Sequence, residues 1–239
     1  MGEHDGRPQV VPVALGFVKV FIVRGERTIL VDTGVAGSAP RIVGAIRRLG
    51  LEPAELSLIV LTHAHADHVG SAREIASLAG CPVMIHRGDA AALASGEYPV
   101  GAPVGTTMRA VFRLARPRRR HRAAAPDQAP GAHPPLVIDT VVSLRPWGVD
   151  GTVEPTPGHT PGSVSIFLAG GEVIVGDLLR GSLARAGKPR WPFVAVDLAE
   201  NRLSAQRVLE RRPTLIWTSH GGPLAAEGCG RLVSGPPAD

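Results

Sequence analysis

One short run concentrates residues that could do chemistry: THAHADH at 62–68, which places His63, His65, Asp67 and His68 in the order H-x-H-x-D-H. It directly follows an apolar run at 56–61, the pattern of a strand buried on both faces. In extended backbone, residues two apart point the same way, so His63 and His65 can reach one ion together. As the chain bends into the following helix, Asp67 and His68 turn towards a position beside it. Imidazole nitrogen with carboxylate oxygen is a donor set that zinc accepts and that also suits iron or manganese. Burying four such groups without partners would be costly, which favours a metal site over a run of core residues. His159, Asp177 and His220 each follow an apolar strand pattern and lie near glycine, as ligands on loops at strand ends would. His86 ends a strand alone and reads as structural, while His4, His121 and His133 lie in polar or Pro-rich segments and read as solvated.

The elements that must position these residues alternate between strand and helix. Two β-branched runs at 17–23 and 28–32 flank the turn-like RGER and read as a hairpin. Ser38 offers an N-cap, Pro40 falls in the first turn, and the helix ends at Gly50. After the strand at 56–61 a second helix runs to Gly80, and a strand follows at 81–86. Strand patterns resume after 135, with a hairpin centred on Gly170 and Gly171, a helix stopped by Pro213, and a strand running into His220. Both halves thus repeat hairpin, helix, strand and histidine, which makes the class α/β. Between them, 88–135 lacks strong periodicity and reads as an insertion or lid, with an Arg-rich segment at 109–122.

Composition bounds the alternatives. The chain has 239 residues, 44% hydrophobic and 20% charged, so it can bury a core and is not disordered as a whole. Two cysteines, Cys81 and Cys229, cannot build a disulfide scaffold, and an aromatic content of 4% does not suit an RNA-stacking module. The net charge of +5 owes much to the Arg-rich insertion. The most apolar stretch, 10–23, is broken by Gly16 and Lys19 and is shorter than the about 20 residues of a membrane span. Glu3 and Asp5 stand where a signal peptide would be basic, so the expectation is a cytoplasmic protein with no membrane partner.

Taken in order, ILVDTG around Asp32, THAHADHVG at 62–70, TPGHTPGS around His159, VGD at Asp177 and SHGG at His220 resemble the metallo-β-lactamase-fold hydrolases over nearly the whole chain. The resemblance implies a four-layer αββα sandwich as one domain over 1–239, in which the aperiodic stretch at about 88–135 is an insertion or lid and the Gly/Pro/Ala-rich end at about 225–239 reads as a flexible tail. It implies two divalent ions per chain, zinc first, with iron or manganese as alternatives. His63, His65 and His159 would hold one ion, Asp67, His68 and His220 the second, and Asp177 would bridge them. Asp32 would support the loops of the site without being a ligand. Asp67 and Asp177 are the expected catalytic carboxylates: a hydroxide bridging the ions would attack the substrate, and Asp67 would orient it or receive a proton. Asp-Thr-Gly at 32–34 also occurs in aspartic proteases, but those need two aspartates sharing a proton, and this chain has one copy.

The expected substrate is a small molecule, an ester, thioester or lactone. Asp177 stands where true β-lactamases of this superfamily usually carry cysteine or serine, which argues against antibiotic hydrolysis. Acyl-homoserine lactonases use an active-site tyrosine, and here Tyr98 falls in the insertion. Two other readings share the scaffold. A phosphodiesterase or nuclease could grip phosphates with RPRRRHR at 116–122, although without an aromatic platform that run reads better as a solvated loop, which disfavours nucleic acid. A mononuclear iron persulfide dioxygenase would use only His63, His159 and Asp177. Tyr98, Met108, Phe112 and the nearby arginines are candidate substrate contacts, and both monomer and dimer are compatible with the sequence.

Overall fold

Strand β1 (Gln9–Ala14), β2 (Lys19–Arg24), β3 (Thr28–Val31), β4 (Leu56–Val60), β5 (Val83–His86) and the strand Leu136–Ile138 form a six-stranded sheet in that order. This is a computed structural model, and it describes residues 7–115, 120–122, 134–182, 185 and 187–235. β1, β2 and β3 pair antiparallel, whereas β3, β4, β5 and Leu136–Ile138 pair parallel. A five-stranded sheet orders Val142–Ser143, Gly151–Pro155, Val164–Leu168, Glu172–Ile174 and Leu215–Trp217, with only the last pair parallel. The α-helices among the described residues are α1 (Ala39–Arg48), α2 (Ala66–Val69), α3 (Ala72–Ala79), α4 (Arg87–Ser95), α5 (Gly105–Ala115), α6 (Leu198–Glu210) and α7 (Ala226–Ser234).

The period-2 alternation of the strands sorts their side chains into layers. Val20, Ile22, Leu30 and Ile59 face outward and pack with Ile42 and Ile46 of α1 and Ile75 of α3. Phe21, Val23, Ile29, Val31, Leu58 and Val60 face inward and meet Val153, Val164, Ile166 and Ile174 of the second sheet. The far face of that sheet, with Val173 and Ile216, packs on Ala205 and Val208 of α6 and Cys229 and Val233 of α7. Three apolar seams therefore bind helix, sheet, sheet and helix, the expected αββα order. Each fully buried aliphatic side chain contributes about 1.5–3 kcal/mol. The repeat of hairpin, helix and parallel strand is present in both sheets.

Two boundaries differ from expectation. The first part of the expected insertion belongs to the fold: α4 directly follows β5 and packs against the core with Asp89 and Leu93 buried. The expected tail from about 225 contains α7, whose two glycines weaken its helix propensity but whose Cys229 and Val233 are buried in the core. Residues 116–119 of the Arg-rich segment lie outside the described residues, as do 123–133 of the insertion, while 120–122 pair with Glu97–Pro99. Cys81 and Cys229 are free and buried, and burial pushes both thiols up to about 11. No helix among the described residues is long and apolar enough to cross a membrane.

Candidate metal centre

β3, β4, Glu172–Ile174 and Leu215–Trp217 each end just before a candidate residue, and their ends converge. His63 and His65 leave β4 in extended backbone, and the chain then turns into α2, which presents Asp67 and His68. His159 comes from the loop between Gly151–Pro155 and Val164–Leu168, Asp177 follows Glu172–Ile174, and His220 follows Leu215–Trp217. The Nε2 of His159 lies 3.2 Å from Nε2 of His63 and 3.0 Å from Nδ1 of His65. Nitrogens bound to one tetrahedral zinc at about 2.0–2.1 Å would stand at about 3.3 Å from one another. Beside them, Nε2 of His220 lies 3.3 Å from Oδ2 of Asp67 and 3.2 Å from Oδ2 of Asp177. Asp177 stands between the groups, its Oδ2 3.7 Å from His159 Nε2 and its Oδ1 3.7 Å from His68 Nε2. All seven residues predicted from the sequence are thus brought together.

The far side of each ring decides which nitrogen faces the site. His159 Nδ1 donates to the Val194 carbonyl and His220 Nδ1 to the Phe17 carbonyl, both at 2.8 Å. His68 Nδ1 lies 2.8 Å from Asp32 Oδ2. The Thr62 hydroxyl donates to that same Oδ2 at 2.8 Å and so is left to accept from Nδ1 of His63 at 3.1 Å. With the proton held on the outer nitrogen, the inner one of His63 and His159 is a lone pair directed into the cluster, and His68 and His220 offer the same once a cation displaces the proton on Nε2. Asp32 is fully buried, also accepts from the Thr62 backbone N–H at 2.8 Å, and has a φ of 61°, a left-handed conformation that aspartate tolerates. It thus meets Thr62 and His68 on the side of the cluster away from the converging donors. Lys19 holds the His220 loop: its Nζ donates to the Gly221 and Gly222 carbonyls and its backbone N–H to that of Ser219.

Two observations favour cations here. His68 Nε2 and Asp177 Oδ1 are buried and have no hydrogen-bond partner among the described residues, a costly arrangement unless something else meets them. The charges also divide. Burial, reinforced by neighbouring imidazoles, holds His63 well below its usual value and His159 down at about 3, so both are neutral lone-pair donors. For His68 burial acts downward, but Asp32, Asp67 and Asp177 outweigh it and raise the ring to about 9. His220 is raised to about 11 by Asp177 and Asp67 against the same burial. The Asp67 carboxyl, pushed up by burial but pulled down more strongly by His68 and His220, sits at about 2, and Asp177 is likewise held ionised. Protons thus neutralise the acidic side of the bare cluster, where cations would replace them.

The sequence model of the Metallo-beta-lactamase superfamily matches residues 14–220, the span that carries every one of these residues. The chain belongs to the metallo-β-lactamase superfamily. It is similar to "Uncharacterized protein YobT" of Bacillus subtilis (strain 168), 31% identical over 220 residues, which cover 87% of this chain and 84% of the relative. "Probable metallo-hydrolase YflN" of the same organism is also 31% identical over 220 residues, covering 83% of this chain and 77% of the relative. In fold it resembles the crystal structure of metallo-beta-lactamase family protein TTHA1429 from Thermus thermophilus, with a TM-score of 0.64 at 20% identity, covering 95% of this chain and 78% of the other.

In this superfamily member the cluster opens into a cavity of about 260 Å³. Phe17, Tyr98, Val100, Phe193 and Val194 line it beside His65, Asp67, His159, Asp177 and His220. The Phe17 ring stacks on His220 at 5.6 Å with an interplanar angle of 4°, and Tyr98 lies 4.8 Å over His65. Tyr98, expected as a candidate contact, therefore reaches the cavity, and burial raises its phenol. Met108 and Phe112, on α5, are not among the lining residues. Phe17, Val100, Phe193 and Val194 escaped the sequence reading, because they lie on loops far apart in the chain with no shared spacing to link them. His86 is structural as expected: its Nδ1 accepts from Gly88 N–H and caps α4. His4 and His133 lie outside the described residues, as does the side chain of His121.

Proposed function

We propose that the protein is a metal-dependent hydrolase that cleaves an ester, thioester or lactone at a centre of two divalent ions, with zinc the best match to the donors. His63, His65 and His159 would hold one ion, Asp67, His68 and His220 the other, and Asp177 would face both. The observation that carries this reading is the convergence of seven donors around two buried, unpartnered atoms, His68 Nε2 and Asp177 Oδ1. The name of the relative YflN as a metallo-hydrolase supports the reaction class. Bound there, divalent cations would bring the pKa of water near neutrality and polarise a carbonyl oxygen.

The chain's own residues supply orientation and exclusion of water. The outer acceptors Asp32, Thr62, Val194 and Phe17 fix the rings, so that little rearrangement accompanies catalysis. Asp67 has a side chain 26% exposed and reaches the cavity. A carboxylate at about 2 is too weak a base to keep a proton at neutral pH, so Asp67 orients a water by accepting its hydrogen bond and passes a proton only transiently. The walls from Phe17, Tyr98, Val100, Phe193 and Val194 are apolar, and no lysine or arginine lines the cavity among the described residues. Such walls suit a neutral carbonyl with an apolar flank. A phosphodiester would bring its charge into a pocket where the divalent ions alone, and no lysine or arginine of the lining, would meet it.

A panel of lactone, thioester, β-lactam and phosphodiester substrates, assayed with and without chelator, tests the reading. Chelator-sensitive hydrolysis of a lactone or thioester is expected. Preferential cleavage of the phosphodiester would overturn it.

A further inference from the structure

We propose that Asp89 is a positioning residue whose single carboxylate locks the loop carrying His63 and His65 to the loop carrying His159. The inference rests on reading those three histidines as ligands of one ion. Asp89 lies in the first turn of α4, is 3% exposed, and is outside the ligand set. Its Oδ2 accepts from the Ala64 backbone N–H at 2.9 Å and from the Thr160 hydroxyl at 2.8 Å. Its Oδ1 accepts from the Gly162 N–H at 2.9 Å. Ala64 separates His63 from His65, and Thr160 follows His159, so one rigid group spans the backbone of both loops.

The seating is close. A Cβ on Gly88 would stand 2.7 Å from the Pro161 carbonyl carbon, and one on Gly162 would stand 2.4 Å from the Asp89 nitrogen. The first turn of α4 therefore lies directly on the 161–162 backbone. Three converging donors also explain how a carboxylate is tolerated in this depth of burial. An amide cannot replace it: with its oxygen towards Ala64 and Thr160, its NH2 faces the N–H of Gly162, and the flipped amide faces the other two donors. Asp89→Asn thus keeps the volume, loses at least one of the three bonds and sets its NH2 against the N–H left over, which loosens the clamp.

The test compares wild type, Asp89→Asn and the milder Thr160→Val. Zinc affinity is measured by chelator competition, amide exchange is followed at Ala64 and Gly162, and kcat is separated from KM. Asp89→Asn is expected to weaken zinc binding about 10–100-fold, to speed exchange at whichever of the two amides is left facing its NH2, and to lower kcat with little change in KM. Thr160→Val is expected to shift zinc affinity a few-fold in the same direction. A folded Asp89→Asn that binds zinc within about twofold of wild type overturns the clamp, as does unchanged exchange at the two amides. If Asp89→Asn does not fold, unchanged affinity and exchange in Thr160→Val overturn it. Wild-type protein that binds no zinc or other divalent ion refutes the metal reading instead, and amide exchange still decides whether Asp89 holds the loops.

Discussion

Replacing Asp32 separates fold support from metal support in one residue. Its carboxylate accepts from the Thr62 N–H, the Thr62 hydroxyl and His68 Nδ1, each at 2.8 Å and all buried. Asp32→Ala strands three donors, one on an imidazole paired with charge, at a cost of about 3–5 kcal/mol. At about 2–4 °C per kcal/mol for a chain of this size, the metal-free variant should melt about 6–20 °C lower. Asp32→Asn is the sharper perturbation. Its amide oxygen can still take the Thr62 N–H, but its NH2 then faces the Thr62 hydroxyl and His68 Nδ1. The hydroxyl can rotate, whereas His68 can relieve the conflict only by moving its proton to Nε2, the atom that faces the cluster. A protonated Nε2 cannot bind a metal, so Asn should retain most of the stability and lose about 10–100-fold in metal affinity at Asp67, His68 and His220. Thermal denaturation, zinc competition and nitrogen NMR of the imidazole tautomer read the three effects. Unchanged zinc binding in Asp32→Asn, with His68 still protonated at Nδ1, would refute the reasoning.

Other consequences follow from the same geometry. Because His68 at about 9 and His220 at about 11 carry protons in the bare site, loading metal at pH 7 should release about two protons, measurable by calorimetry in buffers of different ionisation enthalpy; release of none would contradict the assignment. The same raised values stabilise the metal-free fold below the ordinary histidine value of 6.5. Native protein then binds more protons than unfolded protein as pH rises towards 9, so denaturation midpoints should fall over that window, and a rising midpoint would contradict the charges. Phe17→Ala removes a wall that is 59% exposed and should raise KM about 2–10-fold for a substrate with an apolar flank, leaving metal content unchanged by elemental analysis. Gly70→Ala would place a Cβ 2.2 Å from the Ala36 nitrogen and 2.4 Å from the Val35 carbonyl carbon; chemical denaturation should show a loss of about 1–3 kcal/mol.

The cluster of candidate donors was legible because it obeys local rules. His63 and His65 share the two-residue period of extended backbone, and His159, Asp177 and His220 each follow a strand pattern, so the ordered motifs carried the site before any geometry. The layers were legible for the same reason: alternation along β2 and β3 sends Ile22 and Phe21 to opposite seams. Asp89 was not legible, since an aspartate in the first turn of a helix has an ordinary local reading as a partner of the helix dipole, and only the tertiary fold brings Ala64, Thr160 and Gly162 to it. The cavity walls were hidden likewise, because Phe17 and Phe193 meet His220 from distant loops. For α7, the Gly/Pro/Ala-rich composition pointed to a tail, and burial of Cys229 and Val233 outweighed it.

The most direct test of a dinuclear hydrolytic centre is the metal content of the purified protein, measured together with hydrolysis before and after chelation. Two divalent ions per chain are expected, with hydrolysis that disappears when they are removed and recovers when zinc is restored. A chain that holds no metal, or one whose hydrolysis survives chelation, would contradict it.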